Sequence, residues 1–382
     1  MSKPKIAIFI SCLLTGGTEV ASLMTARSFK NLGYQVDVVV YCNEVDQLMK
    51  QNFEKEGVGL KLLGVKRGQG FSSLALGMKL IKLLYSERYQ FIWVQYMTPS
   101  FIPLLTARFF TKNLIAAIHV SSSHYCNKDL SRIQLLAQYW CDRFICVSNT
   151  VADGIFGGSE NRSEKIQVIP NAIDLGEVQA TERFDFRSKM GFNEQDVIFG
   201  FAGRLEAIKG VDCLIDALKI LIEDPQTLFK PKLIIVGDGS EADNLKKLAK
   251  ELKLDEHVIF LGRVGRGEIY SIIKGFDVAC MPSREGLEGF GLSALEAMAL
   301  GVPVIASRVD ALSEVVQDQK TGILFEAGHA QELKTAMQLL GGDFALRNRM
   351  SKLGADRALT LYSAKRYQED ILKLITRLAR KK

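Results

Sequence analysis

Two glutamates, Glu288 and Glu296, stand eight positions apart around Gly289-Phe290-Gly291-Leu292. Gly289 and Gly291 carry no β-carbon, so the backbone there can come close to a ligand. Residues 292–300 are good helix formers. Gly301 stands where a C-terminal cap is expected, and Pro303 follows it. The apolar run 302–306 then reads as a buried parallel strand. A glycine-rich turn at a helix N-terminus offers N–H groups and the positive end of the helix dipole, which suits a phosphate. Glu288 precedes this helix and Glu296 lies inside it. At a rise of roughly 1.5 Å per residue, the two can reach different parts of one extended ligand. Glu296 sits among Ala294, Leu295, Ala297, Met298 and Ala299, a poor place for a solvated charge. A buried charge needs a partner, which points to a site.

A second cluster lies in Gly203-Arg204-Leu205-Glu206-Ala207-Ile208-Lys209-Gly210. Arginine forks onto phosphate oxygens and lysine supplies a point charge. Alone, Arg204 and Lys209 read equally as solvated surface cations; together with the helix start at Gly291 they imply a diphosphate. His119 ends the apolar run 115–118, where a structural and a functional reading both stand. Gly16-Gly17 closes the first strand, and Thr18 is the expected cap of the next helix. A tight turn would explain those glycines by themselves.

Strand-like and helix-like segments must hold these residues, and they alternate along the whole chain. Strands are expected at 5–11, 35–42, 60–65, 91–95, 114–120, 143–148 and 166–169, then at 197–203, 233–236, 258–262, 278–281, 302–306 and 322–325. Intervening helices are expected at 18–32, 72–87, 129–140, 150–155, 211–222, 241–252, 267–274, 293–300, 312–316 and 331–340. Such alternation argues for parallel sheets covered by helices. Residues 178–195 are polar and without apolar period, and read as a linker. The expected architecture is α/β: two doubly wound, Rossmann-like domains, 1–177 and 196–362, facing each other across a cleft. Ligands bind at strand C-terminal ends in such sheets, and the loops Gly203–Gly210, Gly237-Asp238-Gly239, Gly262-Arg263-Val264 and that of Glu288 all fall there.

The composition agrees with two or three globular domains: 382 residues, 47% hydrophobic and 24% charged. No run of 18 apolar residues implies a membrane span, and the N-terminus has no signal-peptide pattern. The seven cysteines are scattered in apolar runs without zinc-site spacing, as reduced thiols of a cytoplasmic protein would be. Residues 1–177 carry 19 Lys and Arg against 14 Asp and Glu, so the first half holds five of the six net positive charges. Nucleic acid is the least favoured partner, because no arginine–aromatic module appears. The apolar-basic stretch 101–112, with Phe109, Phe110 and Lys112, fits contact with an anionic membrane surface and equally a buried helix.

These motifs in this order resemble the retaining glycosyltransferases of family 4, which have the GT-B fold. The resemblance covers nearly the whole chain. Its most specific part is Glu288-Gly289-Phe290-Gly291-Leu292 with Glu296-Ala297-Met298-Ala299, the glutamate–seven–glutamate motif. Gly203-Arg204-Leu205 with Lys209-Gly210, Val236-Gly237-Asp238-Gly239, Val147-Ser148, Val168-Ile169-Pro170-Asn171 with Asp174, and Gly16-Gly17 support it. One departure is Ala172, where the family usually has glycine. The resemblance implies that Arg204 and Lys209 neutralise the donor diphosphate and that Phe290, Gly291 and Leu292 give it backbone N–H groups. It implies that Glu296 accepts from ribose hydroxyls, Glu288 holds sugar hydroxyls, Val264 meets the base through its backbone, and His119 contacts the transferred sugar. Gly17 would let its loop approach donor phosphate or acceptor. No metal and no other cofactor is implied, since these cations and the helix dipole offset the leaving-group charge. The last helix, about 363–382, would cross back onto the first domain.

The implied reaction is retaining transfer from a nucleotide-sugar, most simply a UDP-sugar, to a glycan or lipid-linked acceptor of a surface polysaccharide. Catalytic roles fall to Glu288, His119, Arg204 and Lys209. The implied location is cytoplasmic, with contact at the inner membrane face. Two other readings stand beside it: a soluble small-molecule glycosyltransferase or sugar phosphorylase, and a non-catalytic nucleotide- or glycan-binding protein.

Overall fold

The computed structural model describes residues 3–14, 16–66, 72–96, 101–286 and 288–380. Thr15 and Leu287, each in one of the glycine-bearing loops, lie outside them. The chain divides into two compact units, Met1–Ala172 with Ala364–Lys382, and Ile173–Ser363.

The first unit holds a seven-stranded parallel sheet: β1 (Lys5–Ile10), β2 (Gln35–Cys42), β3 (Gly59–Val65), β4 (Phe91–Tyr96), β5 (Leu114–Ile118), β6 (Arg143–Cys146) and β7 (Ile166–Val168). Their spatial order is β3-β2-β1-β4-β5-β6-β7. The central strands are largely apolar on both faces because helices cover both; Ile6, Ala7, Ile8 and Phe9 are fully buried. The strand order reverses between β1 and β4, the place where open α/β sheets take their ligands. Gly17 follows β1, and His119 is the first residue past β5. The helix Ala364–Arg380 adds Tyr367, Ile371, Leu374, Ile375 and Leu378 to this unit's core. Its Tyr367 hydroxyl bonds Thr25 Oγ1 at 2.8 Å, so the chain's last helix is part of its first unit.

The second unit holds six parallel strands: β8 (Asp196–Ala202), β9 (Lys230–Val236), β10 (Val258–Gly262), β11 (Val278–Met281), β12 (Val304–Ser307) and β13 (Gly322–Phe325), in the order β10-β9-β8-β11-β12-β13. The reversal here lies between the paired strands β8 and β11. Two doubly wound parallel sheets are what the alternating sequence predicts.

Several local expectations change. Gly16, extended at φ −150°, caps the first helix in place of Thr18, because the Gly16 carbonyl already accepts from Val20 N–H at 3.1 Å. The helices Gln47–Lys55 and Phe344–Leu361 have no counterpart in the apolar pattern. Five of the seven cysteines are buried, but Cys126 is exposed. The structure draws the division at residues 172/173, and residues 178–195 pack into the second unit rather than linking two others. The reason is aromatic: Phe186, 1% exposed, stacks on Phe192 and Phe276 with centroids 6.4 and 6.0 Å away. Phe184 N–H also donates to the Ser271 carbonyl at 3.0 Å.

A linker residue tolerates truncation, whereas a buried phenylalanine does not. Phe186→Ala should lower the stability of the second unit by about 3–5 kcal/mol, read by denaturant unfolding. A change within about 0.5 kcal/mol, as at a surface position, would return this segment to the status of a linker.

Candidate functional site

Lys209 and Glu288 are 79 positions apart in sequence and form an ion pair in the structure, with side chains 22% and 13% exposed. They meet because their loops leave the paired strands β8 and β11 at the switch point. The turn Ala207–Lys209 ends in Gly210 at φ +64°, whose absent β-carbon would lie 2.0 Å from the Pro282 carbonyl oxygen. Only glycine lets the lysine loop press so closely on the exit of β11. Arg284 then binds the two loops. Its N–H donates to the Ile208 carbonyl at 2.7 Å, and its guanidinium to the Ala207 carbonyl at 2.9 Å and Asp212 at 2.6 Å.

Burial pushes the Glu288 carboxyl up. The Lys209 ammonium beside it, the Ser283 hydroxyl donating at 2.8 Å and the charge of Arg204 outweigh that and hold it below the usual carboxylate range. Glu288 is therefore an anion at neutral pH whose partners are already arranged: a cation, a hydroxyl donor and a second cation nearby. Arg204 is exposed and pairs with Glu206 at 3.2 Å. A surface pair of that kind is worth little, so the guanidinium is available to a stronger anion.

The helix Leu292–Ala299 starts at Gly291, φ +85°, with no side chain capping it. A β-carbon at Gly291 would lie 2.6 Å from Leu312 Cδ2. Phe290 is buried, its ring edge-on to Tyr362 at 5.5 Å, so it is the backbone of Phe290, Gly291 and Leu292 that can serve a ligand. Glu296, half-buried on the second turn, accepts from the Tyr270 hydroxyl at 3.3 Å. Val264 lies two residues beyond β10, half-buried. Its loop is laced to the others through Gly237 N–H donating to the Gly262 carbonyl at 2.8 Å, and Leu205 N–H donating to the Asp238 carbonyl at 2.9 Å.

Gly17 and His119 belong to the first unit. His119 Nε2 and Gln95 Oε1 are 2.6 Å apart, and burial pushes the imidazole down to about 4. A neutral ring held by an amide oxygen donates from Nε2. At neutral pH the His119 ring is therefore uncharged. The structure adds residues that the sequence does not single out: Ser283, Arg284, Tyr270 and Gln95. Only the strand-end positions of Gln95 and Ser283 could have drawn attention to them.

The site has a pH signature. Folding depresses the Glu288 pKa. The contribution of its pairing is complete above the unfolded value, about 4.3, and is lost as pH falls through the lower folded value. Unfolding free energies measured by urea from about pH 7 to 3 should lose part of their acid slope in Glu288→Gln. Identical slopes in wild type and variant would contradict the pairing.

Comparison with known proteins bears on the family and the fold. Residues 15–177 match the family model Glycosyltransferase Family 4, and residues 182–357 match Glycosyl transferases group 1. An uncharacterized glycosyltransferase of Methanocaldococcus jannaschii is 26% identical over 326 residues, 81% of each chain. A D-inositol 3-phosphate glycosyltransferase of Actinosynnema mirum is 34% identical over 194 residues, which are 49% of this chain and 46% of that relative. Against such relatives the chain matches about half of their length. The crystal structure of Anabaena HepE in complex with UDP and glucose has the same fold, with a TM-score of 0.82 at 21% identity over 98% of this chain and 99% of that one. With glycosyltransferase family models matched over residues 15–177 and 182–357, and two parallel sheets of this order, the chain is a glycosyltransferase of the GT-B fold.

Proposed function

We propose that the chain transfers a sugar from a nucleotide diphosphate sugar, with retention at the anomeric carbon, to a glycan or lipid-linked acceptor of a surface polysaccharide. The observation that carries this is the meeting of Lys209 and Glu288 at the β8/β11 switch point, with Glu288 three residues before the uncapped helix start at Gly291. Cation and helix N-terminus suit the diphosphate, and the carboxylate suits sugar hydroxyls. The HepE complex makes UDP the nucleotide to try first. In the proposed reaction the bond from the anomeric carbon to phosphate oxygen breaks. The acceptor oxygen bonds that carbon on the same face, and the acceptor proton passes to the departing diphosphate. Arg204, Lys209 and the helix dipole stabilise the charge growing there, in the role a divalent ion has elsewhere. Glu296 holds the ribose, Val264 the base and His119 the sugar, while Gly17 lets its loop approach donor or acceptor.

The first unit supports a membrane-side acceptor. The helix Ser72–Ser86 exposes Leu74, Met78, Ile81 and Tyr85 along one face, beside Lys79 and Lys82. Phe109 on the helix Phe101–Phe110 is 78% exposed, with Lys112 exposed just beyond. Apolar side chains rimmed by lysine fit an anionic bilayer surface. Among the described residues no helix is long and apolar enough to cross a membrane.

Calorimetry with UDP tests the donor site. Arg204→Ala and Lys209→Ala should each weaken binding by roughly 1.5–3 kcal/mol, the worth of a hydrogen bond to a charged group, and Glu296→Gln should weaken it as well. Glu288→Gln should hold or raise UDP affinity, because it releases the Lys209 ammonium, and should lower kcat. Loss of UDP binding in Glu288→Gln with none in Glu296→Gln would reverse the order of the motif along the donor. Transfer should survive excess EDTA; loss restored by Mn²⁺ or Mg²⁺ would refute metal independence.

For the membrane surface, the protein should co-float with phosphatidylglycerol vesicles more than with phosphatidylcholine vesicles. Tyr85→Glu with Phe109→Glu should abolish the difference. Equal recovery with both lipids would remove the membrane from the proposal.

A further inference from the structure

Asp310 is one of the non-glycine residues with left-handed backbone, at φ +41°. It lies just past β12, whose neighbour in the sheet is β11, the strand that leads into the Glu288 loop. Its Oδ2 accepts from Gly286 N–H at 3.0 Å and from Glu288 N–H at 3.4 Å. The next residue, Ala311, donates its N–H to the Glu288 carbonyl at 3.2 Å. Both backbone groups of Glu288 are therefore held by two consecutive residues of the neighbouring loop. Aspartate tolerates the left-handed region because its short carboxylate can bond nearby backbone, and a strained position of this kind persists where the surroundings fix it.

We propose that Asp310 is a positioning residue for Glu288: its carboxylate clamps the loop so that the Glu288 side chain meets Lys209, Ser283 and the sugar hydroxyls. This rests on the reading of Glu288 as the sugar-binding group. The backbone strain and the clamp are separable, because glycine accepts φ +41° without penalty and lacks only the carboxylate.

Asp310→Gly keeps the backbone and removes the clamp, and Asp310→Asn keeps one acceptor oxygen. Both are read by hydrogen–deuterium exchange of the peptide spanning 284–292 and by steady-state transfer. In Asp310→Gly, exchange at the Glu288 amide should rise and kcat should fall on the order of 100-fold, the cost of a displaced catalytic contact. UDP binding and thermal stability should stay near wild type. Asp310→Asn should recover most of both effects. Unchanged exchange in Asp310→Gly would overturn the clamp. Raised exchange with unchanged kcat would overturn its role in positioning Glu288. A kcat loss matched by a loss of thermal stability, without rescue by asparagine, would assign Asp310 to folding alone. If the wild type transfers no nucleotide-sugar at all, the proposed function fails, while exchange still decides whether Asp310 holds the loop.

Discussion

The contact on which the second unit's site depends is the approach of Gly210 to the carbonyl of Pro282. One missing methyl group decides it, since a β-carbon there would stand 2.0 Å from the oxygen. With the two loops in contact, Lys209 reaches Glu288 and Arg284 stitches the chain on either side. Without that approach, each loop would carry a solvated charge of no special consequence. The sheet order supplies the rest: β8 and β11 are neighbours although residues 203–277 separate them, so their C-terminal ends open at one place.

The electrostatics follow from burial and pairing together. Burial opposes ionisation of Glu288, and Lys209, Ser283 and Arg204 favour it; the balance leaves the carboxylate charged. A buried pair is costly to break from one side. Only another anion can replace Glu288 beside Lys209 at little cost, and the diphosphate of the proposed donor is such an anion. His119 shows the opposite case. It is half-buried against an amide rather than a carboxylate, and its imidazole is neutral at neutral pH.

The first unit repeats the plan with different chemistry. Its switch point lies between β1 and β4; Gly16 and Gly17 follow β1, and an amide–imidazole pair joins Gln95 of β4 to His119 just past β5. Its core is completed by the last helix of the chain, which brings Tyr367 to Thr25 across 342 positions of sequence. The second unit is likewise completed from outside its strands, by the Phe184–Phe186–Phe192 cluster that precedes β8.

Local pattern carried much of this in the sequence. Strand runs, helix periods and the glycines around Phe290 each depend on residues a few positions apart, and the sheets and the Leu292–Ala299 helix stand where those patterns put them. The glutamate spacing could be read because a helix turns spacing into position. Residues 178–195 could not be read this way, because three phenylalanines anchor a polar segment without any period. The gap between Thr18 and Gly16 as cap has the same origin: the first intrahelical carbonyl, not the side chain, set the start. The motif order put Lys209 and Glu288 in one site, but the direct contacts between distant side chains were beyond the sequence. Nothing near Lys209 in the chain names Glu288, and nothing near Glu288 names Asp310 or Ser283. Those contacts exist because parallel strands place loops from distant segments side by side at the C-terminal end of one sheet. The sequence determined which residues could do chemistry, and only the tertiary structure decided which of them touch.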